Sequence, residues 1–523
     1  MPELPVAASE LWLTDDLLFQ YQRCPRRAFL ELYGDAALRG SPNDYVAKLR
    51  QDSLAHQRTV LAEQPAHRPQ YSRKNWLEGA TETLALMQQG VERISEGVLL
   101  VELGGLKLVS SPNLLIRQPG QSMLGDWIYE PADIRLGKRP KMDYQIVVAY
   151  HAYLLAAIQG VWPETGWLLL RQQGTCGVNL AEAMPRMQDL LRDCIQTLLP
   201  THEPTGLQEP EVFIAHNRCD LCQWSAHCYG LAQAERHLSL LPGVTPSRYT
   251  YLKALGLTTV EALAAANPKQ LENLPGFGLP VAQRLVKQAE SVLTNRALPD
   301  SALPDRTLPD LVIPDCALPN QGGETGKDLL SAAELPTAPV ELYFDIEAAP
   351  EQNLIYLHGV LVVDRQRQTE TFHALIADSQ AEEAQIWQQF LDLVWRYPDA
   401  PIFHFCPYEL QTVRRLADLY GTPIELIEPL AERFVDLHER ITRVAILPVE
   451  SYALKPIARW LGFDWRDPEA SGAQSICWYD QWMTTGDSRY REAILRYNED
   501  DCYATYRIKD WLVEFCQGER RLG

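Results

Sequence analysis

The chain has 523 residues, 46% hydrophobic and 22% charged; these proportions are near globular averages, so extensive disorder is excluded and several domains are expected. A formal net charge of −20 excludes binding to nucleic acid by bulk electrostatics, because contact with phosphate then needs local clusters of Lys and Arg. With no signal peptide and no apolar run long enough to span a bilayer, we expect a cytoplasmic protein with no membrane partner.

Four cysteines flank the N-terminal part of the chain. Cys219, Cys222 and Cys228 form a C-x2-C-x5-C cluster, and Cys24 is the only cysteine that precedes Cys176. Thiolates are soft metal ligands. One cysteine near the start and three after a nuclease-like core resembles the iron–sulfur subgroup of RecB-like nucleases, which implies that these four residues hold a 4Fe–4S cluster. A structural Zn²⁺ on the same four thiolates is the alternative.

A predicted β-hairpin between these cysteines contains SPNLLIR and EPADIRL. It resembles the Asp…(Asp/Glu)-x-Lys motif of the PD-(D/E)XK nucleases, to which the RecB-like family belongs. Asp133 aligns with the second acid, but Arg135 replaces the lysine and Asn113 stands where the first acid belongs. Arginine stays protonated and asparagine offers a cation only a neutral oxygen. The resemblance therefore implies a RecB-like fold with weakened or lost catalysis.

Further residues extend this resemblance. His56 is similar to the early helical histidine of the family, and Gln145 with Tyr150 resembles its Gln-x3-Tyr element with one residue too many. An alternative is that the N-terminal site still cuts, using Asp133, Glu130 and an unrecognised acid.

The segment LPGFGLPVAQRLVKQ predicts a helix-hairpin-helix. Gly276 and Gly278 would let backbone N–H groups approach a phosphate at a helix N-terminus, and the helix that follows carries Arg284 and Lys287 as nucleic-acid contacts. An ordinary turn between two helices is the alternative. A similar unit, LPGVTPSRYTYLKALG, precedes it, and such modules often occur in pairs.

After this module, residues 296–320 repeat the pattern x-x-(Leu/Ile)-Pro-(Asp/Asn) and lead into a Gly-rich stretch. Proline at every fifth position prevents a continuous helix and favours extended chain. We predict a semi-rigid linker.

Beyond the linker, the runs VELYFDIEA, LIYLHGVLVVD and PIFHF predict strands that precede or alternate with helices, which is typical of an α/β domain with a mixed sheet. Asp345 and Glu347 are two apart on the first strand and share one face. Tyr497 and Asp501 are four apart on the last helix and also share a face. Glu409 follows the strand PIFHF.

These residues resemble the motifs of the DEDD superfamily of 3′–5′ exonucleases, in the subgroup whose last motif is Tyr-x3-Asp, and especially the bacterial YprB-type ribonuclease H-like domain. HFCPYE resembles the second motif, with Phe405 in place of Asn and Glu409 where many relatives have Asp. The resemblance implies that Asp345, Glu347, Glu409 and Asp501 bind two Mg²⁺ or Mn²⁺ ions and that Tyr497 orients the attacking water.

As a whole the chain resembles bacterial RecB-family nucleases fused to a YprB-type domain. We expect a metal-dependent nuclease, a 3′–5′ exonuclease acting on DNA or RNA, whose N-terminal parts bind nucleic acid. The alternative is a non-catalytic nucleic-acid-binding adaptor with two degenerate nuclease folds. Protein partners from repair, helicase or mobile-element systems stay open. The predicted fold class is α/β multidomain: a restriction-endonuclease-like (RecB-like) α/β domain (1–235), a helical helix-hairpin-helix module (236–295), a Pro-rich linker (296–338) and a ribonuclease H-like α/β domain (339–523).

Overall fold

The chain forms two compact units. The N-terminal unit consists of Met1–Val212 and Leu221–His227, and the C-terminal unit consists of Phe213–Asp220 and Cys228–Gly523. No helix among the described residues combines the length and the apolar character needed to cross a membrane. The computed structural model describes residues 12–72, 75–103, 105–199, 207–300 and 335–522.

Side-chain caps begin several helices of the N-terminal unit. Thr14 accepts the N–H of Leu17 at 3.1 Å, and Asn43 accepts that of Val46 at 2.8 Å, so each cap satisfies a helix N–H that has no partner within the helix. The helices described in this unit are α1 (Asp15–Arg23), α2 (Pro25–Tyr33), α3 (Asp44–Glu63), α4 (Trp76–Gln88), α5 (Met142–Gln159) and α6 (Leu180–Leu198).

Two sheets accompany these helices. The larger has the order β2-β5-β6-β7-β8, in which only the β6/β7 pair is parallel, and the smaller has the order β1-β4-β3. Helix α5 is apolar on most sides and is extensively buried, as expected for an enclosed helix. The strands are β1 (Trp12–Thr14), β2 (Arg93–Ser95), β3 (Leu99–Leu103), β4 (Leu106–Ser110), β5 (Leu114–Ser122), β6 (Gly125–Arg135), β7 (Gly166–Leu170) and β8 (Gly174–Val178).

Short helices joined by Pro-Gly turns follow, as the sequence predicts. Arg248 links the two turns, because its Nε donates to the Gly276 carbonyl at 2.8 Å and its Nη1 donates to the Gly243 carbonyl at 2.9 Å. Leucines such as Leu252 and Leu285 form the core of this hairpin module. Its elements and the two helices before it are α7 (His216–Cys219), α8 (Ser225–Ala234), a 3-10 turn (Leu238–Leu240), α9 (Pro246–Ala254), α10 (Val260–Ala264), α11 (Pro268–Leu271) and α12 (Gly278–Thr294).

The C-terminal α/β domain contains the predicted mixed sheet. Its order is β12-β11-β10-β13-β14; β11 is antiparallel to both neighbours, whereas β13 is parallel to β10 and β14. The strands are β9 (Leu298–Pro299), which precedes the domain, β10 (Val340–Ala349), β11 (Leu354–Asp364), β12 (Thr369–Ile376), β13 (Ile402–His404), β14 (Phe434–Asp436) and β15 (Ala445–Ile446).

Helices cover both faces of this sheet. Even-numbered residues of β10, such as Phe344, belong to a core with α13 to α15, while odd-numbered residues, such as Tyr343, belong to a core with α16 to α19. The alternation follows from the two-residue period of a strand. The helices are α13 (Glu383–Val394), α14 (Tyr408–Tyr420), α15 (Ile424–Ala431), α16 (Leu437–Val444), α17 (Leu454–Trp460), α18 (Gly472–Thr485) and α19 (Ser488–Leu522).

The hairpin module and the α/β domain share the C-terminal unit and are joined by polar contacts. β9 pairs antiparallel with β15, so the first residues of the predicted linker are part of a small sheet. On α12, the Gln288 amide donates to the Leu447 carbonyl at 2.5 Å and accepts from the Tyr452 hydroxyl at 3.1 Å. The remaining linker residues through 334 lie outside the described residues.

Candidate active site

Three carboxylates meet between β10 and α19. Asp345 and Glu347 lie on the face of β10 that is turned toward α19, and Asp501 lies on α19 one turn after Tyr497. One carboxylate oxygen from each of the three acids lies within 4.8 Å of the other two. The local periods of strand and helix thus bring together three acids that are far apart in the sequence.

Burial dominates the electrostatics of this cluster. Burial and the charges of Asp501 and Glu347 raise the pKa of Asp345 well above its ordinary value. Burial and the charge of Asp501 do the same to the pKa of Glu347, and burial raises the pKa of Asp501 from 3.8 to about 7. Like charges in a desolvated site oppose ionisation unless a cation lies among them.

Glu409 approaches the cluster from the first turn of α14. It is buried, its charge contributes to the raised pKa of Asp345, and it lies outside the group of three. The Nδ1 atom of His404 lies 3.3 Å from its Oε2 atom. Burial opposes a charged imidazole, but the hydrogen bond and charge of Glu409 outweigh it and raise the pKa of His404. His404 therefore helps to fix the position of Glu409, although burial still raises the pKa of that acid.

The turn from β13 into α14 is tightly held. Cys406 has a φ of 79°, a left-handed conformation that is uncommon for a residue with a side chain. Its N–H donates to Asp436 Oδ1 at 3.0 Å, and its carbonyl lies 2.6 Å from Nδ1 of His404. This strained turn sets the direction from which Glu409 enters the site.

Asp501 has partners that the sequence motifs did not predict. The Nε1 of Trp465 donates to its Oδ1 at 2.6 Å, and the Tyr497 hydroxyl also donates to it. The ammonium of Lys455 lies 5.1 Å from the centre of the Trp465 ring and 5.0 Å from that of Tyr497. Burial lowers the pKa of Lys455, although the charges of Asp501 and Glu347 oppose this.

Asn498, which follows Tyr497, also enters the site. Its amide donates to Asp345 Oδ2 at 2.6 Å and hydrogen-bonds Glu347. Asn498 was missed in the sequence analysis. One signal was available: Gly359 lies inside the apolar strand LIYLHGVLVVD, and a glycine in a strand often marks a close approach by another group. Here that group is the Asn498 side chain.

The two glycines of the predicted hairpin adopt a left-handed backbone conformation. Gly276 and Gly278 have φ values of 79° and 67°, a region that glycine adopts without steric cost. The structure corrects the prediction for Arg284, whose side chain is only 9% exposed. It forms an ion pair with Asp300 and donates to the Thr442 carbonyl at 2.9 Å. Lys287 donates to the Pro299 carbonyl at 3.1 Å.

Comparisons with known families agree with this geometry. Residues 342–513 match the family model of the RNase_H superfamily. The C-terminal α/β domain is an RNase H superfamily domain. Residues 235–291 match the model of the SAM-like helix-hairpin-helix tandem. A search of curated proteins finds no match to the chain. Together, the two family matches indicate a nuclease that binds nucleic acid.

The donor set of the RNase H-like domain suits a hard divalent cation. The three clustered ligands are carboxylate oxygens, which Mg²⁺ and Mn²⁺ prefer over nitrogen or sulfur. An RNase H-like fold typically uses a divalent metal. A cation bound by Asp345, Glu347 and Asp501 would remove the repulsion that raises the pKa values of these acids.

In the N-terminal unit, the acid predicted to be part of a nuclease motif, Asp133, has basic residues beside it. Asp133, on β6, accepts a hydrogen bond from Nε of Arg135 at 3.0 Å, and its Oδ1 lies 3.2 Å from Nε2 of His151. Burial opposes ionisation, but the charges of Arg135 and His151 outweigh it and lower the pKa of Asp133. The guanidinium also lies 5.6 Å from the ring centres of Phe19 and Tyr144.

Other residues predicted for this site have separate structural roles. Asn113 Oδ1 accepts the N–H of Ile134 at 2.8 Å, and Gln145 donates to the Pro140 carbonyl at 2.7 Å. His56 lies on α3, where burial lowers its pKa. The two oxygens of Glu130 accept hydrogen bonds from the Thr165 N–H and the Trp167 indole. The alternative in which Glu130 serves as a nuclease ligand is therefore not favoured.

The four cysteines of the predicted cluster lie in different units. Cys24 and Cys222 belong to the N-terminal unit, whereas Cys219 and Cys228 belong to the C-terminal unit. Cys24 caps α2 by accepting the N–H of Arg27 at 3.4 Å. Burial raises the pKa of Cys222, and nearby Cys24 raises it further. Cys219 accepts the N–H of Ala215 at 3.4 Å. A shared cluster stays a prediction.

Proposed function

We propose that the chain is a divalent-cation-dependent 3′–5′ exonuclease that removes nucleotides from DNA or RNA with its RNase H-like domain. The observation that carries this proposal is the meeting of Asp345, Glu347 and Asp501 within 4.8 Å beside the Tyr497 hydroxyl. Lys455 is the basic residue whose charge acts on Glu347 and Asp501. One ammonium cannot neutralise three buried acids, so the cluster is suited to a cation of higher charge.

Each residue of the site has a distinct task. Asp345, Glu347 and Asp501 would hold the ions, and bound Mg²⁺ or Mn²⁺ would supply activation of a water and stabilisation of the leaving oxygen. The hydroxyl of Tyr497, next to Asp501, orients that water toward phosphorus. As the new P–O bond forms, the bond to the 3′ oxygen of the preceding nucleotide breaks. The water loses its proton to solvent and the 3′ oxygen gains one, which releases a nucleoside 5′-monophosphate.

Glu409 serves as the fourth acid. Its hydrogen bond to His404 fixes its carboxylate, and its charge acts on Asp345. A glutamate in place of the aspartate found in many relatives has one more methylene group, which suits a ligand that enters from the first turn of a neighbouring helix.

The hairpin tandem holds the substrate without reading its sequence. Backbone N–H groups near Gly276 and Gly278 approach phosphates, a contact that is indifferent to the bases. Arg284 takes no part in this contact, because Asp300 and the Thr442 carbonyl bind its guanidinium. Contacts between α12 and the RNase H-like domain, such as that of Gln288 with Leu447, keep the bound strand close to the exonuclease domain.

The N-terminal unit contributes binding rather than cutting, and we assign it a RecB-like fold. The support for lost catalysis is that Arg135 forms an ion pair with Asp133 and that His151 lies within hydrogen-bonding distance of the same carboxylate. A guanidinium beside the acid takes the electrostatic place of a divalent cation. We also assign a 4Fe–4S cluster to Cys24, Cys219, Cys222 and Cys228 on the strength of their spacing. Iron and acid-labile sulfide in anaerobically purified protein would support it, and one tightly bound zinc would favour the structural Zn²⁺ site instead.

End-labelled single- and double-stranded DNA and RNA test the proposed activity. Wild-type protein with Mg²⁺ or Mn²⁺ should shorten 5′-labelled strands stepwise and release mononucleotides from 3′-labelled strands. Substrates with a blocked 3′ end should resist. Asp345→Ala should abolish this activity while affinity for the strand stays near the wild-type value. Glu514→Gln, an exposed acid on the same helix as Asp501, is the matched control and should leave the rate unchanged.

The outcomes separate the candidate functions. Full activity in Asp345→Ala would exclude the RNase H-like site. Cutting from 5′ ends or within strands would retain the nuclease and overturn its polarity. Wild-type protein that binds strands but degrades none with either metal would be the non-catalytic adaptor. Tyr497→Phe should slow the reaction less than Asp345→Ala, by about 10²-fold or more if the hydroxyl handles a proton and by less if it only orients water.

A further inference from the structure

The amide of Asn498 contacts the acids of the site through its NH₂ group, whereas its oxygen forms no hydrogen bond among the described residues. The side chain is fully buried. Its Nδ2 donates to Asp345 Oδ2 at 2.6 Å and its amide also hydrogen-bonds Glu347. Its Oδ1 has no hydrogen-bond partner among the described residues. A buried amide usually satisfies both of its ends, so this arrangement needs an explanation.

Gly359 explains where the unused oxygen lies. It pairs directly with Asp345 across β10 and β11. A Cβ atom at this position would lie 1.6 Å from Asn498 Oδ1, far closer than two non-bonded atoms can approach. The requirement is for space rather than for an unusual backbone, because Gly359 is not in the left-handed region. The absent side chain leaves the pocket that holds the Asn498 oxygen.

The two acids determine which way this amide points. If it were turned over, its oxygen would face the carboxylates of Asp345 and Glu347 and its NH₂ group would face the Gly359 backbone. Asp345 and Glu347 would then have an acceptor where they now have a donor. The observed orientation directs the NH₂ group toward the acids and leaves the oxygen against Gly359. Asn498 therefore donates to the acids of the site, while its own oxygen stays without a hydrogen bond among the described residues.

We propose that Asn498 and Gly359 form a positioning pair that holds the Asp345 and Glu347 carboxylates at the separation a divalent cation needs. Asn498 is a positioning residue, because it acts through these acids. Its bond to Oδ2 of Asp345 fixes the rotation of that carboxylate, and the shared amide would stop the two repelling carboxylates from turning apart. Donors behind metal ligands typically change metal affinity about 10–100-fold. This inference rests on the proposed function, since it assumes that the acids bind a cation.

Titration of Mn²⁺ into the full chain, followed by the electron paramagnetic resonance signal of free Mn²⁺, tests the pair without an activity assay. Asn498→Leu keeps similar volume and removes the donor, and should weaken Mn²⁺ binding about 10–100-fold. Thr505→Val is the matched control: Thr505 is buried on the same helix and its hydroxyl donates to the Asp501 carbonyl at 2.8 Å. It should lose some thermal stability and keep wild-type Mn²⁺ affinity.

A double-mutant cycle separates positioning from general packing. Gly359→Ala should lower both the thermal midpoint and Mn²⁺ affinity, because its methyl group displaces the Asn498 amide. In the Asn498→Ala background, the same change should cost much less stability, and Mn²⁺ affinity should stay at the Asn498→Ala level. Such non-additivity is expected only if the two residues act through one contact. Equal effects of Gly359→Ala in both backgrounds would overturn the pairing.

The remaining outcomes distinguish this inference from the proposed function. If wild-type protein binds Mn²⁺, Asp345→Ala does not, and Asn498→Leu binds as well as wild type, the positioning pair is wrong and the metal site stands. If wild-type protein and Asp345→Ala bind Mn²⁺ equally, no cation is held by these acids, and both the proposed function and the positioning pair fail.

Discussion

Buried acids in the N-terminal unit and in the RNase H-like domain differ in what lies beside them. In the N-terminal unit, Asp133 is bound by the guanidinium of Arg135 and by His151, and its pKa is lowered. This acid is ionised and already compensated by the protein. A divalent cation would have to displace an ion pair to bind there.

In the RNase H-like domain the donors next to the acids are mainly uncharged. Asn498 binds Asp345, and Trp465 and Tyr497 bind Asp501. These hydrogen bonds fix the carboxylates without cancelling their charge, so the pKa values of the acids are raised. The comparison shows that an acid pair in a sequence predicts a metal site only where the fold leaves most of the charge of the acids uncompensated.

The largest difference is expected in catalysis. Asp501→Asn should lower the rate of nucleotide release by on the order of 10²–10³-fold or more, because it removes fixed charge at the reacting centre. Asp133→Asn should keep the wild-type rate, because Asp133 is paired with Arg135. Rates on 5′-labelled strands would measure both. Loss of activity in Asp133→Asn alone, with the thermal midpoint unchanged, would move the active site to the N-terminal unit.

The next effect is on stability. Arg135→Ala leaves Asp133 with His151 as its remaining side-chain partner among the described residues. We expect a loss toward the low end of the about 3–5 kcal/mol typical of breaking a buried pair, because Arg135 keeps some solvent contact. Arg192→Ala, which breaks an exposed pair with Asp189, should cost no more than about 1 kcal/mol. Denaturant unfolding compares the two, and equal losses would show that the Asp133 pair is not a buried one in solution.

Arg284 offers a sharper test, because it is a buried arginine of the C-terminal unit that is paired with an acid. Arg284→Met should lower the stability of this unit by about 1.5–3 kcal/mol, the usual value for hydrogen bonds to a charged group. It should not change affinity for DNA in a filter-binding assay. Lys269→Ala, at an exposed position on α11, should weaken DNA binding if the hairpin tandem contacts phosphate. If Arg284→Met bound DNA more weakly while remaining as stable as the wild type, the phosphate contact predicted from the sequence for Arg284 would be supported.

The two regions should also show a pH dependence of opposite sign. The pKa of Asp501 is raised from 3.8 to about 7, so without a cation the RNase H-like domain should lose stability as the pH rises through about 7. The pKa of Asp133 is lowered, so its contribution holds above 3.8 and is lost as the pH falls below that value. Thermal midpoints in EDTA should show this, and Mn²⁺ or Asp501→Asn should flatten the slope near neutral pH. A midpoint that rises through pH 7 in EDTA would contradict the raised pKa.

The sequence by itself determined those features that depend on neighbouring residues. The two-residue spacing of Asp345 and Glu347 predicted a shared strand face, and the four-residue spacing of Tyr497 and Asp501 predicted a shared helix face. Both hold in β10 and α19, because strand and helix periods are local properties of the backbone. The predicted hairpin before α12 is likewise present, and its two glycines have positive φ values.

Only the tertiary structure decided which charges meet. Arg284 reads in sequence as an exposed helical cation, yet β9 and β15 bring Asp300 and the Thr442 carbonyl to it. Asn498 lies 153 residues from Asp345, and its place beside that acid depends on the absence of a side chain at Gly359. The pKa of an acid depends on burial and on partners that arrive from distant parts of the chain. The local sequence does not identify those partners. It therefore predicts which face of a strand or helix an acid lies on, but not whether its charge is compensated.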